Sequence, residues 1–178
     1  MKNNNHTDND NQIAERILQN DHEAFKYLFN KYYPFLYRFA YYRLKSRDLT
    51  CDLIQDLFFN LWSNRERLNP EKSIKAYLYK SLLNSIINYK KLFFSQQTSL
   101  ESNSKQETDF ESALEMNIDF RDALEKLSDK QSIVFMLSRY DGFKYSEIAE
   151  ICGISVKAVE KRMSSAFSTL KNYLEEKK

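Results

Sequence analysis

"YSEIAEICGISVKAVEKRMSSAFSTLK", residues 145–171, contains two apolar-periodic runs that meet at Gly153 with almost nothing between them. The first run puts Ile148, Ala149 and Cys152 inward at helical spacing. The second does the same with Val156, Val159, Met163, Ala166 and Leu170. Two helices joined this tightly form either a helix-turn-helix or an ordinary αα-hairpin. Gly153 suits the turn because a residue without Cβ tolerates the left-handed conformation that ends many helices, and the Ser155 hydroxyl can cap the next helix. Ala149 is small where the second helix must cross closely.

The second helix favours the DNA-binding alternative. Opposite Val159 and Met163, its face carries Lys157, Lys161, Ser165 and Ser168, with Ala158 and Arg162 on one flank and Ser164 on the other. Small hydroxyls between cations let a helix lie deep in a major groove, with cations at phosphate distance and short polar groups near base edges. Glu160 argues for the alternative of a solvated charged face, because it repels phosphate.

With two glycines and two prolines in 178 residues, the chain has few turn formers, while Tyr, Phe, Leu and Ile supply apolar area for one or two small cores. The expected fold class is all-α. No run approaches the roughly 18 apolar residues of a membrane span, and the polar start does not read as a signal peptide, so the expected location is cytoplasmic. Cys51 and Cys152 stand in separate apolar-periodic helices without a CxxC pair, and are expected as buried free thiols. No Gly-rich phosphate loop, metal-ligand cluster or nucleophile–base pair is visible, and His6 and His22 lie in or near the polar start. No enzymatic activity, cofactor, metal or small-molecule substrate is expected.

Residues 1–94 hold 15 Lys and Arg against 10 Asp and Glu, a net +5, whereas residues 95–178 hold 12 against 15, a net −3. Between these unlike halves lies "SQQTSLESNSKQETD", residues 95–109, polar and nearly free of large apolar groups. Such a segment buries too little surface to offset its ordering entropy, so residues 95–110 are expected to be a flexible linker between two small helical domains. The expected division is a polar tail over 1–19, one domain over 20–94 and a second over 111–178.

Within the first domain, "DHEAFKYLFNKYYPFLYRFAYYRL" (residues 21–44) has apolar residues at 24, 25, 28, 29, 32, 36 and 39, with Pro34 bending or interrupting the helix. "RDLTCDLIQDLFFNLWSNRERL" (residues 47–68) puts Leu53, Leu57 and Leu61 on one stripe, flanked by Ile54, Phe58 and Trp62. Asp48, Asp52, Gln55, Asp56 and Asn60 fall largely elsewhere. This acidic, amide-rich ridge on a basic domain suits a protein partner of complementary charge, or else is a solvated face. In "SIKAYLYKSLLNSIINYKK", residues 73–91, the expected inward residues are Ile74, Tyr77, Leu78, Leu82, Ile86 and Tyr89. Lys80, Asn84, Asn88 and Lys91 recur on a second, polar face. From Lys72 to Lys91 there are five lysines and no acid. Amides can pair with base edges, lysines neutralise phosphates and aromatics stack on unpaired bases.

The order of these features resembles the extracytoplasmic-function (ECF) group of the sigma-70 family, over about residues 20–94 and 120–174. "DLIQDLFFNLW" (52–62) is similar to region 2.2 of that family, "IKAYLYKSLLNSIINYKK" (74–91) to regions 2.3 and 2.4, and residues 122–171 to region 4. The resemblance implies that Asp52, Gln55, Asp56 and Asn60 face the β′ clamp helices of core RNA polymerase. It implies that Lys80, Asn84, Asn88 and Lys91 act at the −10 element, and that Ser155, Lys157, Ala158, Lys161, Arg162, Ser165 and Ser168 act at the −35 element. Further implied partners are the polymerase β flap, promoter DNA and an anti-sigma factor, often membrane-anchored. Catalysis would belong to the polymerase.

The sequence departs from the family pattern at several positions. Glu160, Ser165 and Phe167 stand where basic residues are frequent, and Lys144 where Ser or Thr commonly caps. Tyr77 occupies the place of a frequent tryptophan, while Asn84 matches the usual asparagine. Two other readings use the same features: a helix-turn-helix regulator that binds DNA unaided, and a helical adaptor that binds only proteins. A response regulator would need a receiver of alternating strands and helices, which residues 1–94 do not show.

Overall fold

The computed structural model describes residues 10–96 and 118–176. They fall into two compact units, within Met1–Ser102 and Asn103–Lys178. Among the described residues there is no strand.

The first unit contains α1 (Asp10–Leu18), α2 (His22–Leu44), α3 (Arg47–Ser63), a 3₁₀ turn (Arg65–Arg67) and α4 (Ile74–Gln96). Residues 10–18, expected to belong to a polar tail, instead form α1, which buries Ile13, Ala14 and Ile17. Three apolar positions at spacings of one and three make a stripe one residue wide, which needs the other helices to cover it before it has any value. Asp10 anchors the start of this helix: its carboxylate accepts from Lys31 Nζ at 2.6 Å and from the Tyr32 hydroxyl. Burial, then this carboxylate, pushes the Tyr32 phenol upward from its ordinary pKa.

Asp21 joins α1 to α2. Its Oδ1 accepts from the backbone N–H of Glu23 at 2.9 Å and of Ala24 at 3.1 Å, while its Oδ2 accepts from Arg16 Nε at 2.9 Å. One carboxylate thus caps α2 and holds the last turn of α1. Helix α2 runs unbroken through Pro34, so of the two expected outcomes, bending or interruption, the interruption does not occur. Pro34 is exposed, so solvent can satisfy the carbonyl that lacks its N–H partner, and Tyr32, Leu36, Tyr37 and Phe39 are buried on both sides of it. Lys45 ends the helix in the left-handed region, and Ser46 caps α3.

The core of this unit contains Leu28, Leu36 and Phe39 from α2, Ile54 and Leu61 from α3, and Leu78, Tyr79, Leu82 and Ile86 from α4. Aromatic edges tie α2 to α3: Phe25 meets Trp62 at 5.0 Å, and Phe29 meets Phe58 at 4.8 Å. Two expectations change here. Leu53 is only half-buried, because the α3 stripe is centred on Ile54, Leu57, Phe58 and Leu61. Cys51 and, in the other unit, Cys152 are free but partly exposed rather than buried. The Cys51 thiol lies 3.7 Å from the Tyr33 hydroxyl, whose pKa burial, then this thiol, pushes up to about 12.

The second unit contains α5 (Ile118–Glu125), α6 (Asp129–Arg139), α7 (Tyr145–Cys152) and α8 (Val156–Glu176). Gly153 ends α7 at φ 64°, and its N–H bonds the Ala149 carbonyl. The Ser155 hydroxyl accepts from the Ala158 N–H at 3.2 Å, so α8 begins three residues beyond the glycine. Helix α7 starts at Lys144, whose ammonium has no lone pair for capping. The Glu147 carboxylate instead accepts from the Lys144 N–H at 2.7 Å. Buried Val134, Met136 and Leu137 of α6, Ile148, Ala149 and Ile151 of α7, and Val159, Met163 and Ala166 of α8 form the core. Ile151 takes the inward place expected for Cys152.

The Ala24 N–H, then Arg16, holds the Asp21 carboxyl below its ordinary pKa. A carboxyl lowered on folding contributes stability that is complete above the unfolded-chain value and is lost as pH falls through that value towards the folded one. Asp21→Ala should therefore flatten the acid limb of the stability curve below about pH 4, where an unfolded Asp titrates. Denaturant titrations of both proteins between neutral and acid pH would check this.

Candidate nucleic-acid and partner interfaces

Helix α3 turns Asp48, Asp52, Gln55, Asp56 and Asn60 outward, and all five are exposed. Phe59 stands among them, one turn beyond Gln55 and Asp56, and is 69% exposed. A phenylalanine so placed offers exposed apolar area within an acidic ridge, which a partner surface can bury. Sequence reading left Phe59 unassigned, naming only Phe58 and Trp62 beside the buried stripe. The available signal was its angular position, which at helical spacing coincides with Asp52 and Asp56 rather than with Ile54 and Leu61.

Helix α4 brings Lys80, Asn84, Asn88 and Lys91 together on one exposed face. Tyr77, expected in the core, is 40% exposed on the same face, and Ile87 is 39% exposed between the asparagines. The core place goes to Tyr79, fully buried and edge-on to Phe39 at 5.2 Å. Apolar runs in this helix leave the inward residue ambiguous by two positions, and packing against Phe39 decides it. The resulting face combines two cations, two amides, a phenol and an aliphatic group, with no acid from Lys72 through Gln96. It can neutralise phosphates, pair with base edges and stack on an unpaired base.

On α8, Lys157, Lys161 and Ser168 are exposed on the outer face, whereas Ala158 and Arg162 are half-buried on a flank. Ser155 is engaged as the cap. Ser165 is exposed, and its Oγ accepts from Gln131 Nε2 of α6 at 2.8 Å. That bond fixes the hydroxyl, which still has its own proton for a further acceptor. Gln131 also accepts from the Ser128 N–H through Oε1 at 2.8 Å, so one amide caps α6 and fastens α8. Phe167 packs edge-on to Phe135 at 5.7 Å, with Arg139 over its ring at 5.1 Å. Val156, expected inward, is 41% exposed, because it opens the helix beyond the end of the buried stripe that starts at Val159.

Among the described residues, no group of three or more His, Cys, Asp or Glu side chains is placed to hold a metal ion, and no helix is long and apolar enough to cross a membrane.

The family models match both units: "Sigma-70 region 2" over residues 28–91 and "Sigma-70, region 4" over residues 118–170. The chain belongs to the sigma-70 family. Its two matched regions are the layout of the extracytoplasmic-function group, a group of non-enzymatic transcription factors. The solved sigma factor RpoE, in complex with the anti-sigma factor NepR from Bartonella quintana, is 25% identical with a TM-score of 0.68, covering 86% of this chain and 98% of that one. CnrH, solved in complex with the cytosolic domain of CnrY, is 22% identical with a TM-score of 0.73, covering 95% and 99% of the two chains, and shows the shared fold. No curated protein matches the chain significantly.

Gln131→Ala removes the acceptor of the α6 cap and the donor to Ser165 together. It should lower the stability of the second unit by about 1 kcal/mol, the usual worth of a lost capping arrangement. Chemical denaturation followed by far-UV circular dichroism would measure it.

Proposed function

We propose that this sigma factor attaches to core RNA polymerase through the α3 ridge, opens and reads the −10 element with α4, and places α8 in the major groove of the −35 element. The observation that carries this reading is the acid-free face of α4, where Tyr77, Lys80, Asn84, Ile87, Asn88 and Lys91 stand together and exposed. A solvated helix face has no need of an exposed tyrosine and isoleucine between its cations. Strand opening needs both kinds of group: a stacking surface compensates for a base leaving the duplex, and cations hold the separated backbone.

The acidic ridge of α3 gives the basic first unit an opposite-charged surface for a protein, with Asp52, Gln55, Asp56 and Asn60 around Phe59. Polar groups there steer and orient encounter, and the phenylalanine supplies buried area. On α8, Lys157 and Lys161 serve phosphates, and Arg162, Ser165 and Ser168 serve the groove. Ala158 is small enough to allow close approach, and Ser155 presents the first turn. The expected contact of the second unit is the β flap. The covalent link between the two units keeps both at one promoter, and bond formation is left to the polymerase. Of the expected linker, residues 95–110, the first two close α4 and the others lie outside the described residues. The protein acts in the cytoplasm, where the polymerase and promoter are.

Regulation by an anti-sigma factor follows from the same surfaces, since a protein that covers α3 and α4 blocks polymerase and DNA at once. RpoE is solved with such a partner, and CnrH with the cytosolic domain of CnrY. The inhibitor of this chain is expected to be membrane-anchored, as the family resemblance implies.

Run-off transcription by core polymerase plus this chain on a promoter library, with mobility shifts in the presence and absence of core, tests the whole reading. Promoter-specific transcripts are expected only with both proteins, and specific DNA binding without polymerase would overturn it. Asn84→Ala should reduce permanganate reactivity of the −10 thymines while leaving affinity for core unchanged in a pull-down. Lys161→Ala should weaken binding almost uniformly across −35 variants and lower the slope of log affinity against log salt by about one unit, as loss of one phosphate contact requires.

A further inference from the structure

Val156 opens α8 with its side chain 41% exposed, although its residue type fits the core it was expected to join. The surrounding groups give it a distinct setting. The Ser155 hydroxyl accepts from the Ala158 N–H, which fixes its oxygen against the helix start and leaves the isopropyl group exposed beside it. Lys157 follows on the outer face, and Lys161 stands one turn beyond it, both exposed. Glu160, one turn from Val156 on its own side, is exposed as well. The two sides of the helix start therefore differ in charge. Val156 is the first residue of α8, and a helix-turn-helix recognition helix reaches base edges with its N-terminal residues while cations such as Lys157 and Lys161 serve phosphates.

In the major groove the base edges offer hydrogen-bond donors and acceptors, and the one methyl group among them is the C5-methyl of thymine. A valine can neither donate nor accept, so that methyl is the base-edge group it complements best. We infer that Val156 is a specificity-determining residue, whose isopropyl group packs on the C5-methyl of one thymine in the −35 element. Lys157 and Lys161 hold the adjoining phosphates. This rests on the reading of α8 as the −35 helix. It adds a base preference made without a hydrogen bond, at a position where a residue of this kind is ordinarily buried.

The test uses the full chain bound to core polymerase, with a promoter selected by that holoenzyme from a randomised −35 library. Each −35 thymine on either strand is replaced singly by uracil, which removes the methyl and leaves every hydrogen-bonding group. Uracil at one position should weaken binding by about fourfold, the worth of one methyl taken out of water. Val156→Ala should bind thymine and uracil equally there, and Val156→Ile, which keeps a branched apolar group, should retain the discrimination. A wild-type holoenzyme indifferent to uracil at every position overturns the inference, as does a Val156→Ala protein that discriminates as well as wild type. A selected element with no preferred A·T pair overturns it too. A scrambled −35 element separates the two levels. If scrambling leaves affinity unchanged, the −35 reading itself fails and takes the inference with it. If scrambling abolishes specific binding while uracil is neutral throughout, that reading stands and the inference alone is wrong.

Discussion

Each helix in this chain can bury only one stripe, and that constraint sets where the protein can meet its partners. An α-helix presents about 3.6 residues per turn, so a stripe wide enough to enter a core leaves an opposite face of similar width. Helix α3 buries Ile54, Leu57, Phe58 and Leu61, which leaves the ridge of Asp52, Gln55, Asp56 and Phe59 outside. Helix α4 buries Leu78, Tyr79, Leu82 and Ile86, and α8 buries Val159, Met163, Ala166 and Leu170. The same packing that stabilises each unit thereby aims three chemically different faces at solvent.

Short polar caps keep those faces in register. Gly153 in the left-handed region and Ser155 at the next helix start leave no slack between α7 and α8, so burying Ile148 and Ile151 also fixes the rotation of α8. Asp21 plays the corresponding part between α1 and α2, and Gln131 between α6 and α8. Each of these side chains serves two elements at once, so its loss loosens a helix junction as well as a helix end. A face that must fit a groove depends on this rotational precision more than on the stability of any single helix.

The distribution of charge divides labour among the faces. An acid-free α4 and an acidic α3 lie within one unit of the same chain, so under the proposed function polyanion and protein meet different helices. On α8 the division is finer: Lys157 and Lys161 face one way, and Glu160 keeps anions from the other. Exposed apolar groups sit inside each polar setting, Phe59 on α3, Tyr77 and Ile87 on α4, Val156 on α8. Charge brings a partner in from a distance and orients it, and apolar contact then supplies the short-range preference.

Helix content, the turn at Gly153, the cap at Ser155 and the polar faces of α4 and α8 were all legible in the sequence, because each depends on spacing or backbone conformation within a few residues. The exposed positions of Asp52, Asp56, Lys80, Asn84, Lys157 and Lys161 followed from the same periodicity. Tertiary structure alone decided the rest. Residues 10–18 read as polar until α2 and α4 cover Ile13 and Ile17. Tyr77 and Tyr79 have equal claims on the core until Phe39 meets one of them. Val156 is a core residue type left outside by its place beyond the covered part of α8, whereas the exposure of Phe59 was already given by its angle on α3. The cause is common to the other three cases. Periodicity specifies which residues share a face, but burial is a property of a neighbour's surface, and where that surface ends is set by helices distant in the chain.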